Sequence, residues 1–281
     1  MRIAVTGAGG GLGRAFLAQA SAGLDIHAFT HQELPVEDVD AVLDHLIPLR
    51  PQVILHLAAM TAVDDCERDP DAAFRANAVG TANVANAAGR TGGVLVAVST
   101  DYVFDGAKGE SYHEFDEARP VNVYGASKLA GEREARRLTL GHLILRTSWI
   151  FGTEDDFITG CVRRLAAGEG VAGIVDQWGT PTYVEHLAER LLPMARSGRR
   201  GVVHLAGPER TTWFDVLTRA RELGGLPGEV TEQKAAELDR PAPRPADSSL
   251  RSLVLPVEGV APMPPLDEAI RRLVEVAGGP G

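Results

Sequence analysis

Tyr124 and Lys128 stand four residues apart in Val123-Tyr124-Gly125-Ala126-Ser127-Lys128-Leu129-Ala130-Gly131-Glu132, a proline-free stretch of small residues and good helix formers. On a helix this spacing puts phenol and ammonium on one face, one turn apart. A cation beside a phenol favours the phenolate and lowers its pKa from about 10, giving a proton donor usable near neutral pH. The same pair on an exposed helix is ordinary surface, so the chemistry depends on what the chain sets beside it. Ahead of it stands Ser99-Thr100-Asp101-Tyr102-Val103-Phe104-Asp105-Gly106, directly after the apolar run Val94 to Val98. Thr100 could donate a hydrogen bond to a carbonyl oxygen next to the phenol; a polar turn is the alternative.

A second signal opens the chain. Gly7-Ala8-Gly9-Gly10-Gly11-Leu12-Gly13 follows the apolar Ile3-Ala4-Val5, and a helical pattern (Leu12, Phe16, Leu17, Ala20) follows it. Gly7, Gly10 and Gly13 fit G-x-x-G-x-x-G. The first permits the tight turn, the second lets backbone approach a pyrophosphate at the helix N-terminus, and the third lets helix and strand pack closely. The next strand ends at Phe29-Thr30-His31-Gln32. Dinucleotide units place an acid here for a ribose 2′-hydroxyl, or a basic residue nearby for a 2′-phosphate. Thr30 and His31 lean toward the phosphorylated cofactor, with an ordinary strand-end turn as the alternative. Ala58, Ala59 and Thr61, in the small-residue stretch after the third strand, allow close approach of a cofactor or simply tight packing. Asn77 reads as a buried helix-to-loop hydrogen-bonding residue.

The elements that must position these groups alternate. Strand candidates at Ile3–Val5, Leu24–Phe29, Val53–Leu57, Val94–Val98 and Leu143–Leu145 are separated by helical patterns, including a long helix from about Pro70 to Ala88. Strands apolar on both faces imply a parallel sheet covered on both sides, with the ligand outside the carboxyl ends. The fold expected is α/β: a Rossmann-type doubly wound parallel sheet with a smaller, discontinuous C-terminal substrate lobe. Residues 1–150 with about 171–206 form the dinucleotide-binding domain, about 151–170 and 207–265 the lobe, and 266–281 a C-terminal helix and tail.

Composition narrows the function. The 281 residues are 44% hydrophobic and 23% charged, as in ordinary globular proteins, and the formal net charge of −10 argues against nucleic acid or an anionic membrane as main partner. Cys66 and Cys161 show no metal or disulfide spacing. No signal-peptide pattern opens the chain and no apolar run approaches the about 18 residues of a membrane span, which points to a cytoplasmic enzyme.

Several longer stretches resemble the extended short-chain dehydrogenase/reductase superfamily and, within it, the dTDP-4-dehydrorhamnose reductase branch of dTDP-4-keto-6-deoxysugar reductases. They are residues 57–64, 99–106 and 122–132, then Arg146-Thr147-Ser148-Trp149-Ile150-Phe151-Gly152, Asp176-Gln177-Trp178-Gly179-Thr180-Pro181-Thr182, and Arg244-Pro245 before Ser249-Leu250. The resemblance implies reduction of the 4-keto group of a dTDP-4-keto-6-deoxyhexose by NADPH, with NADH as the other candidate. Tyr124 would be the proton donor, Lys128 would hold the nicotinamide ribose and tune the phenol, and Thr100 would polarise the carbonyl. Cofactor contacts would fall on Gly7, Gly10, Gly11, Leu12, Gly13, Thr30, Val36, Ala58, Ala59, Thr61, Tyr124 and Lys128; sugar contacts on Thr61, Thr100, Tyr102 and Trp149. Trp149 as a core residue is the alternative.

The chain departs from the branch at Pro35-Val36, where relatives often carry an Asp before the apolar residue near the adenosine. Some relatives form a homodimer bridged by Mg2+ through C-terminal glutamates; Glu185, Glu268 and Glu275 are the candidates here, and solvated helix charges are the alternative. Two rival functions stay open: a related antibiotic-pathway ketosugar reductase, for instance of the dTDP-dihydrostreptose synthase type, and a non-catalytic nucleotide-binding regulatory subunit like methionine adenosyltransferase beta.

Overall fold

The computed structural model describes residues 1–20 and 23–277. In its first half the elements are β1 (Arg2–Thr6), α1 (Gly11–Gln19), β2 (Asp25–Phe29), α2 (Val39–Leu49), β3 (Val53–His56), α3 (Val63–Arg68), α4 (Pro70–Phe74), α5 (Gly80–Thr91), β4 (Val94–Thr100), α6 (Val123–Leu138) and β5 (His142–Thr147). The second half holds β6 (Ile150–Phe151), α7 (Phe157–Ala166), β7 (Val171–Ile174), β8 (Trp178–Gly179), β9 (Thr182–Tyr183), α8 (Val184–Arg196), β10 (Gly201–His204), β11 (Thr211–Thr212), α9 (Trp213–Gly224), β12 (Val230–Gln233), α10 (Val254–Val257) and α11 (Leu266–Ala277).

Six strands make one sheet in the order β10-β5-β4-β3-β1-β2, every pair parallel. This is the Rossmann-type sheet that apolar strands alternating with helices imply. Strand residues point alternately to the two faces. Ile3, Val5, Val53, Leu55, Leu143, Leu145 and Val203 pack on one face with Phe16 of α1 and Leu187, Leu191 and Met194 of α8. Ala4, Ile54, Leu95, Ala97 and Ile144 pack on the other with Val42 and Leu46 of α2, Val84 and Ala88 of α5 and Ala135 of α6. Chain order reverses at β1, whose neighbours are β2 and β3, and a crevice opens there at the carboxyl ends of the strands.

Three features differ from the sequence expectation. The helix from about Pro70 to Ala88 is interrupted by one π turn, Arg75–Val79, between α4 and α5. The wider turn carries Asn77, whose side chain serves the neighbouring loop and α6 rather than solvent. Within 171–206, β7 pairs with β12 in a separate two-stranded sheet; α8 and β10 are the parts that join the main sheet. Finally, α11 packs Leu266, Ile270 and Leu273 into the second core, against Ile158 and Leu165 of α7 and Val216 and Leu217 of α9. It is part of that lobe's core; residues 278–281 of the expected tail lie outside the described residues.

Helix α6 is fastened to the sheet by a buried ion pair. Arg146 on β5 donates Nε and Nη2 to the two oxygens of Glu132, at 2.8 and 2.7 Å, and Ser99 Oγ at the end of β4 donates to the same carboxylate at 2.6 Å. Glu132 and Arg146 are 4% and 3% exposed, so removing one partner strands the other's charge without water. Glu132→Gln should cost about 3–5 kcal/mol in denaturant unfolding, whereas the volume-matched Glu132→Met/Arg146→Met pair should lose far less. Equal losses for the single and double variants would count against a charge-pair role.

Candidate active site

The glycine turn after β1 has no room for a side chain at Gly7 or Gly13. Gly7 has φ +71°, and a Cβ there would lie 2.5 Å from the backbone nitrogen of Ala58. Gly10 caps α1 with no side-chain hydrogen bond, which leaves first-turn N–H groups free for an anion. A cleft of about 510 Å³ runs from this turn past Gly11, Leu12, Gly13, Ala59 and Thr61 to Thr100, Tyr124, Lys128 and Trp149. A second cavity, about 580 Å³, continues from Gly7 and Gly10 to His31, Val36, Ala58 and Arg75. A free helix terminus, a turn closed to a Cβ at Gly7 and Gly13, and two cavities meeting at it fit a dinucleotide with its pyrophosphate at the turn.

Position on the strands explains why the chemical groups converge. Thr100 is the last residue of β4, and Asn122 caps α6 by accepting from Gly125 N–H at 2.8 Å, so α6 starts at the same edge of the sheet. A Cβ at Gly125 would collide with the Tyr102 carbonyl, which lets the helix press its first turn onto the loop after β4. Asn77 locks the other side: its Oδ1 accepts from Met60 N–H at 2.9 Å, and its Nδ2 donates to Met60 O and to Ser127 Oγ at 3.0 and 2.9 Å. These are the buried helix-to-loop bonds expected of it.

The electrostatics differ from the simple expectation of a depressed phenol. Tyr124 is pushed above its ordinary value, first by burial, with the nearby Asp101 charge acting in the same sense and Thr100 in the opposite one. The Lys128 ammonium donates to Val98 O at 2.8 Å, and burial lowers its pKa to about 8. The phenol is therefore a neutral acid at physiological pH, with a cation near its own titration point one helical turn away. Thr100 Oγ1 accepts from Tyr102 N–H and donates to Asp101 Oδ1, both at 3.1 Å.

Of the other expected residues, Thr61 and Trp149 line the cleft and Val36 and Ala58 the second cavity, whereas Thr30 lines neither and gives both its N–H and its hydroxyl to Glu33. Tyr102 lines neither; its ring meets Tyr124 edge-on, centroids 5.9 Å apart. Trp149 adopts φ +45° and stacks on Trp213 at the start of α9, 3.8 Å between centroids and 5° between planes. One indole face is thus covered by the second lobe. Among the described residues of the single chain no group of three or more His, Cys, Asp or Glu side chains is placed to hold a metal, and Glu268 pairs with Arg272 at 2.9 Å. Also among the described residues, no helix is long and apolar enough to cross a membrane.

Sequence reasoning missed Asp101. Its buried carboxylate takes hydrogen bonds from Thr100, from Ser148 at 3.0 Å and from Ser248 at 2.5 Å. Burial nonetheless raises its pKa to about 6. Sequence reasoning also gave no role to Arg244, noted only within a family-like stretch, which grips Asp64 through Nη1 and Nη2 at 2.5 and 3.0 Å and lies beside Tyr102. Only the carboxyl and hydroxyl types were visible in the chain; the partners lie up to 180 residues away.

The chain matches the RmlD substrate binding domain model over residues 1–277. It is 39% identical to the dTDP-4-dehydrorhamnose reductase of Mycobacterium tuberculosis (strain ATCC 25618 / H37Rv), over 93% of this chain and 88% of the relative. It is 35% identical, over 97% and 94%, to a probable dTDP-4,6-dihydroxy-2-methyloxan-3-one 4-ketoreductase of Streptomyces antibioticus. Among solved structures, the dTDP-4-dehydrorhamnose reductase of Bacillus anthracis in complex with NADP superposes with a TM-score of 0.94 at 32% identity, covering 98% of this chain and 99% of that one.

Asp101 and a second buried group set opposite pH dependences of stability. His56 takes a hydrogen bond from Thr6 Oγ1 (2.8 Å) on Nδ1, and its Nε2 lies 3.0 Å from Thr81 Oγ1; burial lowers its pKa from 6.5 to about 3. Its contribution is present above about 6.5 and lost as pH falls toward about 3. Asp101, raised from 3.8 to about 6, contributes stability that is full below about 4 and lost as pH rises through about 6. The two offset each other in between. Asp101→Asn removes one of them, so its stability relative to the parent should rise by on the order of 2 kcal/mol from pH about 4 to about 7 in denaturant melts. Parallel curves would sink this assignment.

Proposed function

The chain belongs to the RmlD substrate binding domain family, and we propose from that premise that it reduces the 4-keto group of a dTDP-4-keto-6-deoxyhexose with NADPH. The observation that carries the reading is the convergence of Thr100, Tyr124 and Lys128 in one cleft that continues into the glycine cradle. NADPH supplies a hydride to the sugar C4. The residues of the chain orient the acceptor carbonyl and deliver the proton.

The geometry supports the roles that the family resemblance implies. Thr100 lines the cleft with Tyr124, and its hydroxyl would polarise the carbonyl by turning its one proton from Asp101 Oδ1 to the substrate oxygen. Tyr124, kept protonated by burial, donates its proton as negative charge develops on the carbonyl oxygen; a phenol above its ordinary pKa is a poor base but remains an acid toward an alkoxide. Lys128 holds the nicotinamide ribose and offsets the phenolate left behind. Gly7, Gly10, Gly11, Leu12 and Gly13 take the pyrophosphate, and Val36, Ala58 and Ala59 flank the adenosine. The lobe cored by α7, α9 and α11 covers the sugar end, and its Trp213 braces Trp149 against the cleft.

A second reading shares this chemistry. The likeness to the Streptomyces antibioticus ketoreductase supports a specialised deoxysugar as substrate. A panel of dTDP-ketosugars, with product configuration read by NMR, separates the two: rhamnose configuration at C4 from dTDP-4-keto-6-deoxy-L-mannose supports the first.

Tyr124→Phe should fold, bind NADPH within a few-fold of the parent and lose roughly 100-fold or more in NADPH oxidation, the usual scale for a positioned acid. A retained rate would remove the phenol from the mechanism. Lys128 gives a pH signature. With its pKa lowered to about 8, its charge is complete below that value and lost above it. NADPH affinity of the apo protein should therefore fall as pH rises through about 8, and Lys128→Arg should move the fall to higher pH. Flat binding across that range for the parent would contradict a charged role for Lys128.

A further inference from the structure

Trp149 stands in a conformation that its own chemistry does not favour. Its φ of +45° lies in the left-handed region, which a bulky side chain rarely enters. Its indole N–H is closed to water and meets no acceptor among the described residues. Both costs fall on a residue that lines the cleft, so neighbouring structure must hold it there.

Two jaws do so. On one side the indole of Trp213 stacks at 3.8 Å between centroids and 5° between planes, and no atom fits between rings at that separation. Gly179 lies on the other side. A Cβ built on it would overlap Cε2 and Cδ2 of Trp149. These fusion carbons have no outward edge, so the glycine covers a face of the ring, and it is the face that Trp213 leaves free. Both jaws come from one two-stranded ladder. Strands β8 and β11 pair antiparallel, with Thr211 opposite Gly179 and Thr212 opposite Trp178, and Trp213 follows directly. Thr212 and Asp215 cap the start of α9 reciprocally, and Phe157 of α7 meets Trp213 edge-to-face, 5.5 Å between centroids. The Trp149 backbone is tied down as well, its carbonyl accepting from Thr182 N–H at 3.1 Å.

With both faces taken, the indole can present only its edge to the cleft. An aromatic face would take the C–H surface of a sugar by stacking; an edge forms a wall instead, and its positive rim suits an oxygen better than a C–H group. We infer that Trp213 is a positioning residue for the reduction: with Gly179 it clamps the indole of Trp149, so that the ketosugar is set against the edge of Trp149 and is not stacked on its face. This deepens the ketosugar reading and rests on it. Trp213 acts through Trp149 and needs no contact of its own with the sugar.

Removing one jaw has opposite consequences for the two ways of meeting the sugar. With dTDP-4-keto-6-deoxy-L-mannose under saturating NADPH, Trp213→Ala should raise KM about tenfold and lower kcat by less, while the NADPH dissociation constant stays within about twofold. Trp213→Phe keeps a flat ring against the indole and should recover most of the loss. A lower KM in Trp213→Ala would mean that the sugar stacks on the freed face, and would overturn the inference. In a Trp149→Ala background the same substitution should change KM by less than about twofold, because the clamp then has nothing to hold. Equal losses in both backgrounds would make Trp213 a purely structural residue and overturn the inference, as would unchanged kinetics in the parent background. Trp213→Leu, which fills the space without a flat ring, carries the same expectations should the alanine variant not fold. A parent that turns over no dTDP-ketosugar would overturn the ketosugar reading itself, an outcome distinct from an active parent whose Trp213 variants behave like it.

Discussion

The Glu132 carboxylate is the point on which the geometry of the cleft depends. It lies between Arg146 of β5 and Ser99 of β4, and it belongs to the same helix as Tyr124 and Lys128. Lys128 and Glu132 are four apart, so the carboxylate sits one turn behind the ammonium and two turns behind the phenol. A helix packed only by apolar contacts can slide or roll by a fraction of a turn at modest cost. One held by a two-pronged guanidinium contact cannot, because every displacement breaks directional bonds in a site closed to water. The pair has little claim as a source of net stability. Its consequence is registry: it dictates where along the strand ends the first turn of α6 arrives.

That registry places the reacting groups where burial controls their proton affinities. Four shifts share one leading cause, the loss of water around the charged form. Tyr124 and Asp101 go up, Lys128 goes down to about 8, and His56 beneath the sheet goes down to about 3. The consequence differs by position. His56, bracketed by hydroxyls, is a neutral structural link between β1, β3 and α5. In the cleft, the same physics leaves a protonated phenol beside a cation and a carboxyl that titrate near neutrality. Such a cluster is the expected mark of a functional site. The second lobe completes the enclosure by stacking Trp213 on Trp149, whose left-handed backbone aims the indole across the junction.

Local signals carried much of this arrangement. The glycine turn was legible because it sits between an apolar strand and a helix, and the Tyr124–Lys128 spacing because helical periodicity maps four residues onto one face. The parallel sheet followed from strands apolar on both sides. What escaped was decided by partners distant in the chain. Val171–Ile174 looks like any buried strand, and only Val230–Gln233 determines that it pairs outside the main sheet. Asp101 reads as a turn residue until Ser148 and Ser248 close on it. The π turn at Asn77 has no propensity signature; it forms because Met60 and Ser127 offer that side chain better partners than a regular helix would.

The claim that α6 is held in register for catalysis is tested most directly by a double-mutant cycle in kcat between the buried pair and the phenol. The Glu132→Met/Arg146→Met substitution is introduced into the parent and into Tyr124→Phe, and NADPH-dependent turnover is measured under saturating cofactor. About tenfold or greater loss is expected in the parent and little further loss in the Tyr124→Phe background, because a misplaced acid and an absent acid fail at the same step. Independent, multiplicative losses would contradict it.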